Sequence, residues 1–150
     1  MSDLKDRLRA DLNTAMKARD ELTTATLRMT LTAVTNEEVA GKQQRELSDD
    51  EVLKVIAREA KKRRESAEAF DAANRAELAE RERAEGSILD AYLPAQLDDA
   101  ELTAIVAAAI AESGASGMGG MGAVMKLVQP QLAGRADGKR VSDEVRRQLG

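Results

Sequence analysis

Apolar residues return every three or four positions along almost the whole chain, which is the spacing of helix faces. Leu4, Leu8 and Leu12 recur at intervals of four, and Ala15 and Met16 continue the stripe. Ser2 or Asp3 can cap its start and acidic residues occupy its first turn, so a helix is expected from Asp3 to Ala18. A second is expected from about Asp20, with Leu27, Leu31 and Val34 on its apolar face and Gly41 as its stop. The polar stretch from Lys42 to Leu47 reads as a loop. Ser48, Asp49, Asp50 and Glu51 then form a capping-box pattern ahead of an apolar run. The helix they open carries Val52, Val55, Ile56, Ala60, Ala67 and Phe70, while its charged middle, Arg58 to Glu68, must face water on most sides. Asn74 or Arg75 marks a break. Leu78, Ile88, Leu89, Tyr92 and Leu93 extend a helical pattern to Pro94. Gly86 inside that pattern costs about 1 kcal/mol against alanine, so an irregular interior is expected there.

Pro94 is the expected domain boundary, because the residue before a proline is pushed out of the α region. Asp98 then caps a new helix with Glu101 three residues on, and Leu102, Ile105, Val106, Ala109 and Ile110 make its apolar face. The glycine-rich segment from Ser113 to Gly122 ends it. Met121 to Val128 reads as a short helix with Val124, Met125 and Val128 inward and Pro130 near its end. Gly134 to Gly138 reads as a turn, and Ser142 is expected to cap a last helix bearing Val145 and Leu149. The fold class is therefore all-α. Residues 1–93 are expected to form an N-terminal bundle of three or four long helices, and residues 94–150 a small three-helix domain, each marginal alone.

Composition sharpens this picture. Apolar residues make up 43% of the chain, yet its aromatics are Phe70 and Tyr92 alone. The core must come from Leu, Ile, Val, Met and Ala, which suits helices rather than a β-sandwich. There is no cysteine and no histidine. Disulfides, thiol nucleophiles, histidine zinc sites and Ser-His-Asp triads are excluded. Acid–base chemistry would fall to Asp, Glu, Lys or Tyr. No cofactor and no metal is expected. The first twenty residues are charged throughout and lack the apolar run of a signal peptide. No segment approaches the roughly 20 apolar residues of a membrane span. The expectation is a cytoplasmic protein with no membrane partner.

Four features invite a functional reading. Gly117 to Gly122 matches G-x-G-x-x-G in letters, but a helix precedes it where a dinucleotide site needs a strand, and Ala123 stands where a phosphate-binding loop needs lysine. The plainer reading is a helix-to-helix connection. A narrower one keeps Gly120 and Gly122 as a loop contacting backbone phosphate at the start of the next helix, with Lys126 one turn in. The basic run Lys61 to Arg64, preceded by Arg58, is interleaved with Glu59, Glu65 and Glu68 and reads as a solvated face with i,i+4 ion pairs. Glu77, Glu80, Glu82 and Glu85 alternate with Arg75, Arg81 and Arg83, a mixed-charge surface rather than an acid–base pair in a pocket. From Ala115 onward, Lys126, Arg135, Lys139, Arg140, Arg146 and Arg147 stand against Asp137, Asp143 and Glu144. That tail carries net +3 in a chain of net −4, leaving −7 on the residues before it. Such asymmetry points to an anionic partner.

Three motifs in order carry a family resemblance. Tyr92-Leu93-Pro94-Ala95-Gln96-Leu97 resembles the junction motif of the GatB/YqeY family. Met121 to Lys126 resembles its glycine–methionine segment, and Gly134 to Val141 its final turn. The resemblance covers essentially the whole chain and suits the stand-alone YqeY-like form, with extra glycine around Gly119 and Gly120. It implies an all-helical fold. It also implies similarity of the C-terminal part to the tail of the GatB component of the glutamine-dependent tRNA amidotransferase, which helps hold tRNA. A carbon–nitrogen ligase activity with glutamine as amido donor follows from the family label alone. The kinase-like body of that component is missing here, and so is any counterpart of the amidase partner's serine–lysine machinery. The expected function is a non-catalytic accessory module binding tRNA or another RNA, with Lys126, Arg135, Lys139, Arg140, Arg146 and Arg147 on phosphates. With so few aromatics, recognition would be of shape and backbone rather than stacked bases. The alternative is a protein-interaction module of translation or metabolism. No feature of the sequence bears on oligomeric state.

Overall fold

The computed structural model describes residues 2–132 and 135–150. Among the described residues every regular element is helical. The chain resolves into two compact units, one ending at Leu93 and the other beginning at Pro94.

The first unit holds four helices: α1 (Asp3–Lys17), α2 (Glu21–Glu38), α3 (Asp49–Ala72) and α4 (Ala76–Asp90). The starts of α1, α2 and α3 are built by side-chain caps. The Ser2 hydroxyl accepts the Lys5 N–H at 3.1 Å and donates to the Asp49 carboxylate, which also accepts the Leu4 N–H at 3.1 Å. Asp49 is the first residue of α3, so one carboxylate ties two helix starts together. Asp20 caps α2 through Thr23, and Ser48 and Glu51 cap α3 reciprocally, as the pattern of residues predicts. Asn74, with a left-handed φ of 58°, makes the break between α3 and α4.

The core of this unit is Leu8, Leu27, Val34, Leu47, Val52, Val55, Ile56, Ala60 and Leu89. Burying each large side chain contributes about 1.5–3 kcal/mol. Leu47 corrects the reading of its segment as merely polar loop: the stretch is non-helical, but Leu47 is 2% exposed and completes the core. Phe70, expected inward, is only half-buried. Helix α4 runs unbroken through Gly86, against the expected irregularity. Gly86 is buried beside α3, and a Cβ placed on it would stand 3.5 Å from the Arg63 Cβ.

The second unit holds α5 (Asp99–Ser113), a 3-10 turn (Met118–Gly120), α6 (Met121–Leu132) and α7 (Gly138–Leu149). Leu97, Leu102, Val106, Ala109, Val124, Val128, Leu132, Val141 and Val145 form its core. Asp98 caps α5 by accepting the Glu101 N–H at 2.7 Å, and Gly114, at φ 67°, ends it in the left-handed conformation. Helix α6 passes through Pro130 and extends four residues beyond Val128. Proline removes only one donor there, and buried Leu132 holds the extra turn against the core. The last helix starts earlier than expected. Asp137, not Ser142, is its cap, accepting the Lys139 N–H at 3.2 Å. The cause is Val141, which lies four residues before Val145 and is buried with it, so the helix must already be formed at Val141. Of the expected turn before it, Gly134 lies outside the described residues. No single described helix is long and apolar enough to cross a membrane.

Candidate functional site

The six candidate cations fall into two kinds. Four are engaged with partners in their own unit. Lys139 lies 3.3 Å from Asp143, and Arg146 lies 3.5 Å from the same residue on the next turn of α7. Arg147 grips Glu144 with Nε at 2.9 Å. Glu144 also accepts the Thr103 hydroxyl at 3.0 Å and the Gln148 amide at 2.8 Å. With Arg147 as the chief cause, its carboxyl is held down to about 2.

Arg140, the fourth, is a structural clamp. Its guanidinium donates to the Leu97 carbonyl and to the Asp99 carboxylate, both at 2.7 Å. It therefore fastens α7 to the entry of α5. Beside it the Leu97 N–H donates to the Arg135 carbonyl at 2.9 Å. A basic residue seen only as charge gives no hint of this work.

Lys126 and Arg135 are the other kind. Among the described residues neither is in an ion pair. Lys126 is exposed on α6 and borders an open depression shared with Glu112, Ser113, Ala123 and Leu127. Arg135 is half-buried in the connection after α6. Among the described residues Lys126 and Arg135 thus have no carboxylate partner, whereas Arg140 is bonded to Leu97 and Asp99.

The glycines also divide. A Cβ on Gly120 would stand 2.5 Å from the Ala115 Cβ and 3.3 Å from its Cα, so close packing demands glycine there. Gly117, at φ 67°, needs glycine for its backbone. Gly119 and Gly122 have nothing within 4 Å of a Cβ, and no internal contact accounts for them. Gly122 lies in the exposed first turn of α6.

The basic run on α3 is ion-paired, but mostly to other helices. Arg58 lies 3.4 Å from Glu37 of α2, and Arg64 lies 3.9 Å from Asp90 of α4. Lys61 with Glu65, at 4.0 Å, is the pair of the expected i,i+4 kind. Arg63 departs from the expected solvated face. It is largely buried and points to Glu82 at 3.6 Å and Glu85 at 3.5 Å across the α3–α4 interface. Its place on the Ile56, Ala60 and Ala67 stripe is the signal that could have found it.

Tyr92 is likewise committed. Its hydroxyl donates to Asp11, and Arg7 lies over its ring at 4.6 Å. Burial first, then the Asp11 carboxylate, push its pKa upward, so it keeps its proton. Among the described residues no group of three acidic side chains is placed to hold a metal ion.

No curated protein matches the chain. The helical fold, the cap at Asp98, the glycine-bearing turn into α6 and the Asp137 start of α7 lie within residues 5–149, which match the family described as Yqey-like protein. The chain belongs to that family.

Proposed function

We propose that this chain is an accessory module that binds the sugar–phosphate backbone of tRNA through its C-terminal unit and carries out no chemistry of its own. The observation that supports this reading is the pair Lys126 and Arg135, which lack carboxylate partners among the described residues while the cations of α7 have theirs. Lys126 sits one turn beyond Gly122, where unshielded backbone at the start of α6 leaves room for a phosphate. The resemblance of this part to the tail of the GatB component of the tRNA amidotransferase is what supports tRNA as the RNA class.

The test is titration with bulk tRNA at low and moderate salt. Wild type should bind more weakly as salt rises, and K126A/R135A should lower the log–log salt slope by about one for each phosphate left without its cation. The control K139A/R146A removes two cations that share the Asp143 carboxylate and should change the slope less. Equal binding by wild type and K126A/R135A would sink the reading.

A second reading, docking on a helix of a partner protein, is favoured by one observation. Ala100, Ala104, Ala107, Ala108 and Ala111 of α5 are all exposed and share one face. Small residues let a neighbouring backbone approach closely. In that case A104E/A108E would abolish partner binding, and the tRNA titration would be flat.

A further inference from the structure

The apolar core of the first unit stops partway along the α3–α4 hairpin. Ile56, Ala60 and Leu89 belong to it. Between Lys61 and Ile88 the buried apolar side chains are Ala67 and Ala79, at 2% and 0% exposure. Phe70 and Leu78 are only half-buried. The outer hairpin is therefore held by close alanine contacts, which remove little area from water, and by charge.

Arg63 stands where the two regimes meet. Its Nη1 lies 3.6 Å from Glu82 and its Nε 3.5 Å from Glu85, and the three side chains are 17%, 19% and 10% exposed. Arg63 Nε and Glu82 Oε2 are both buried without a hydrogen-bond partner. Charges desolvated this way, in poor hydrogen-bond geometry, recover little of what burial costs. Farther out the helices are joined by Arg83 with Asp71, and Arg81 pairs with Glu85 along α4 at 3.5 Å. Each of these has an exposed partner and is weak in water. Opposite Arg63 stands Gly86, which contributes no side chain to the seam. On its α2 side, outer α4 borders an open groove lined by Glu21, Leu22, Glu77, Glu80, Arg81 and Ala84.

We propose that residues 63–85 form a separately opening arm, latched at Arg63, Glu82 and Glu85, which unfastens while the core around Leu27, Ile56 and Leu89 stays closed. Regions with few buried apolar contacts and charge-held seams are the ones that open below the global unfolding free energy.

Hydrogen exchange read by mass spectrometry on the full chain tests this at low and high salt. Peptides from 64–84 should exchange at least about tenfold faster than those from 27–34 and 52–60. High salt should speed the arm by about threefold and leave the core unchanged. R63M should speed the arm alone. R63L/E82L/E85L, which replaces the latch by apolar contact, should slow it. Arm and core exchanging at one rate at both salt levels would overturn the proposal, as would an arm that opens faster in the leucine variant. If the leucine variant does not fold, the salt comparison on wild type decides alone.

Discussion

The Lys5 ammonium lies 2.8 and 2.9 Å from the two carboxylate oxygens of Glu38, with both side chains about nine-tenths buried. The same carboxylate accepts the Leu47 N–H at 3.2 Å, and the Glu38 carbonyl accepts the Arg45 N–H at 3.0 Å. One residue at the end of α2 thus joins the start of α1 to the loop that delivers Leu47 into the core. Lys5→Met leaves the carboxylate buried and unpaired, which costs about 3 kcal/mol. Glu38→Gln added to it removes the stranded charge and keeps an acceptor for Leu47, so the double variant should recover much of the loss. Urea unfolding of wild type, K5M and K5M/E38Q checks both statements. Equal stability of the two variants would contradict them.

The pair also sets an acid limit. The hydrogen bond from Lys5 holds the Glu38 carboxyl below its usual range, against the opposing effect of burial. A carboxyl depressed in the folded state binds fewer protons than in the unfolded chain. Its contribution to stability is then complete above its unfolded pKa, about 4.5, and is lost as pH falls through the folded value. Below pH 5 the wild type should lose stability more steeply than E38Q, whose amide does not titrate. Thermal melts from neutral pH down to about 3 measure the two slopes, and parallel curves would show that Glu38 is not linked to folding in this way.

The two candidate phosphate-loop glycines should part company on substitution. Gly120→Ala drives a methyl into Ala115, including its backbone, and overpacking of that kind costs about 1–3 kcal/mol. Gly122→Ala meets nothing within 4 Å and sits in the first turn of α6. It should leave stability unchanged or raise it by up to about 1 kcal/mol, through helix propensity alone. Denaturant midpoints for the two variants decide the matter, and equal losses would mean the turn is packed differently.

Local patterns carried most of the helix plan. Ser48 with Glu51, Asp98 with Glu101, and the leucine spacing of α1 each act within one or two turns, so neighbouring residues suffice to reveal them. The cost of Gly86 in an isolated helix is real, but α4 is held by packing against α3, with its own Leu89 in the core. At Ser142 a local cap signal competes with the burial of Val141, and burial prevails. Leu47 and Arg63 were hidden for a common reason. Leu47 sits at the end of a polar stretch and Arg63 within a charged run, and the role of each depends on residues of other helices. The candidate site shows the same division. That the tail is basic can be counted directly, and the pairs of Asp143 and Glu144 lie within α7, but that Arg140 holds a carbonyl depends on how α7 lies against α5.

Arg140 gives the sharpest separation of folding from binding. Its bond to the Leu97 carbonyl is a charge-assisted hydrogen bond within the unit, whereas its partner Asp99 has a side chain 96% exposed and adds little. Arg140→Ala should therefore destabilise the C-terminal unit by about 1–2 kcal/mol, nearly all because the Leu97 carbonyl forfeits its donor. Arg140→Lys keeps the charge but not the two-pronged geometry and should recover only part of that. Neither change should lower the salt slope of tRNA binding by the folded protein, because the guanidinium is already spoken for. Melting curves and tRNA titrations on both variants give the two readouts. A variant with wild-type stability and a reduced slope would reverse the assignment, making Arg140 a phosphate ligand and leaving the α5–α7 seam to the apolar residues around Val141.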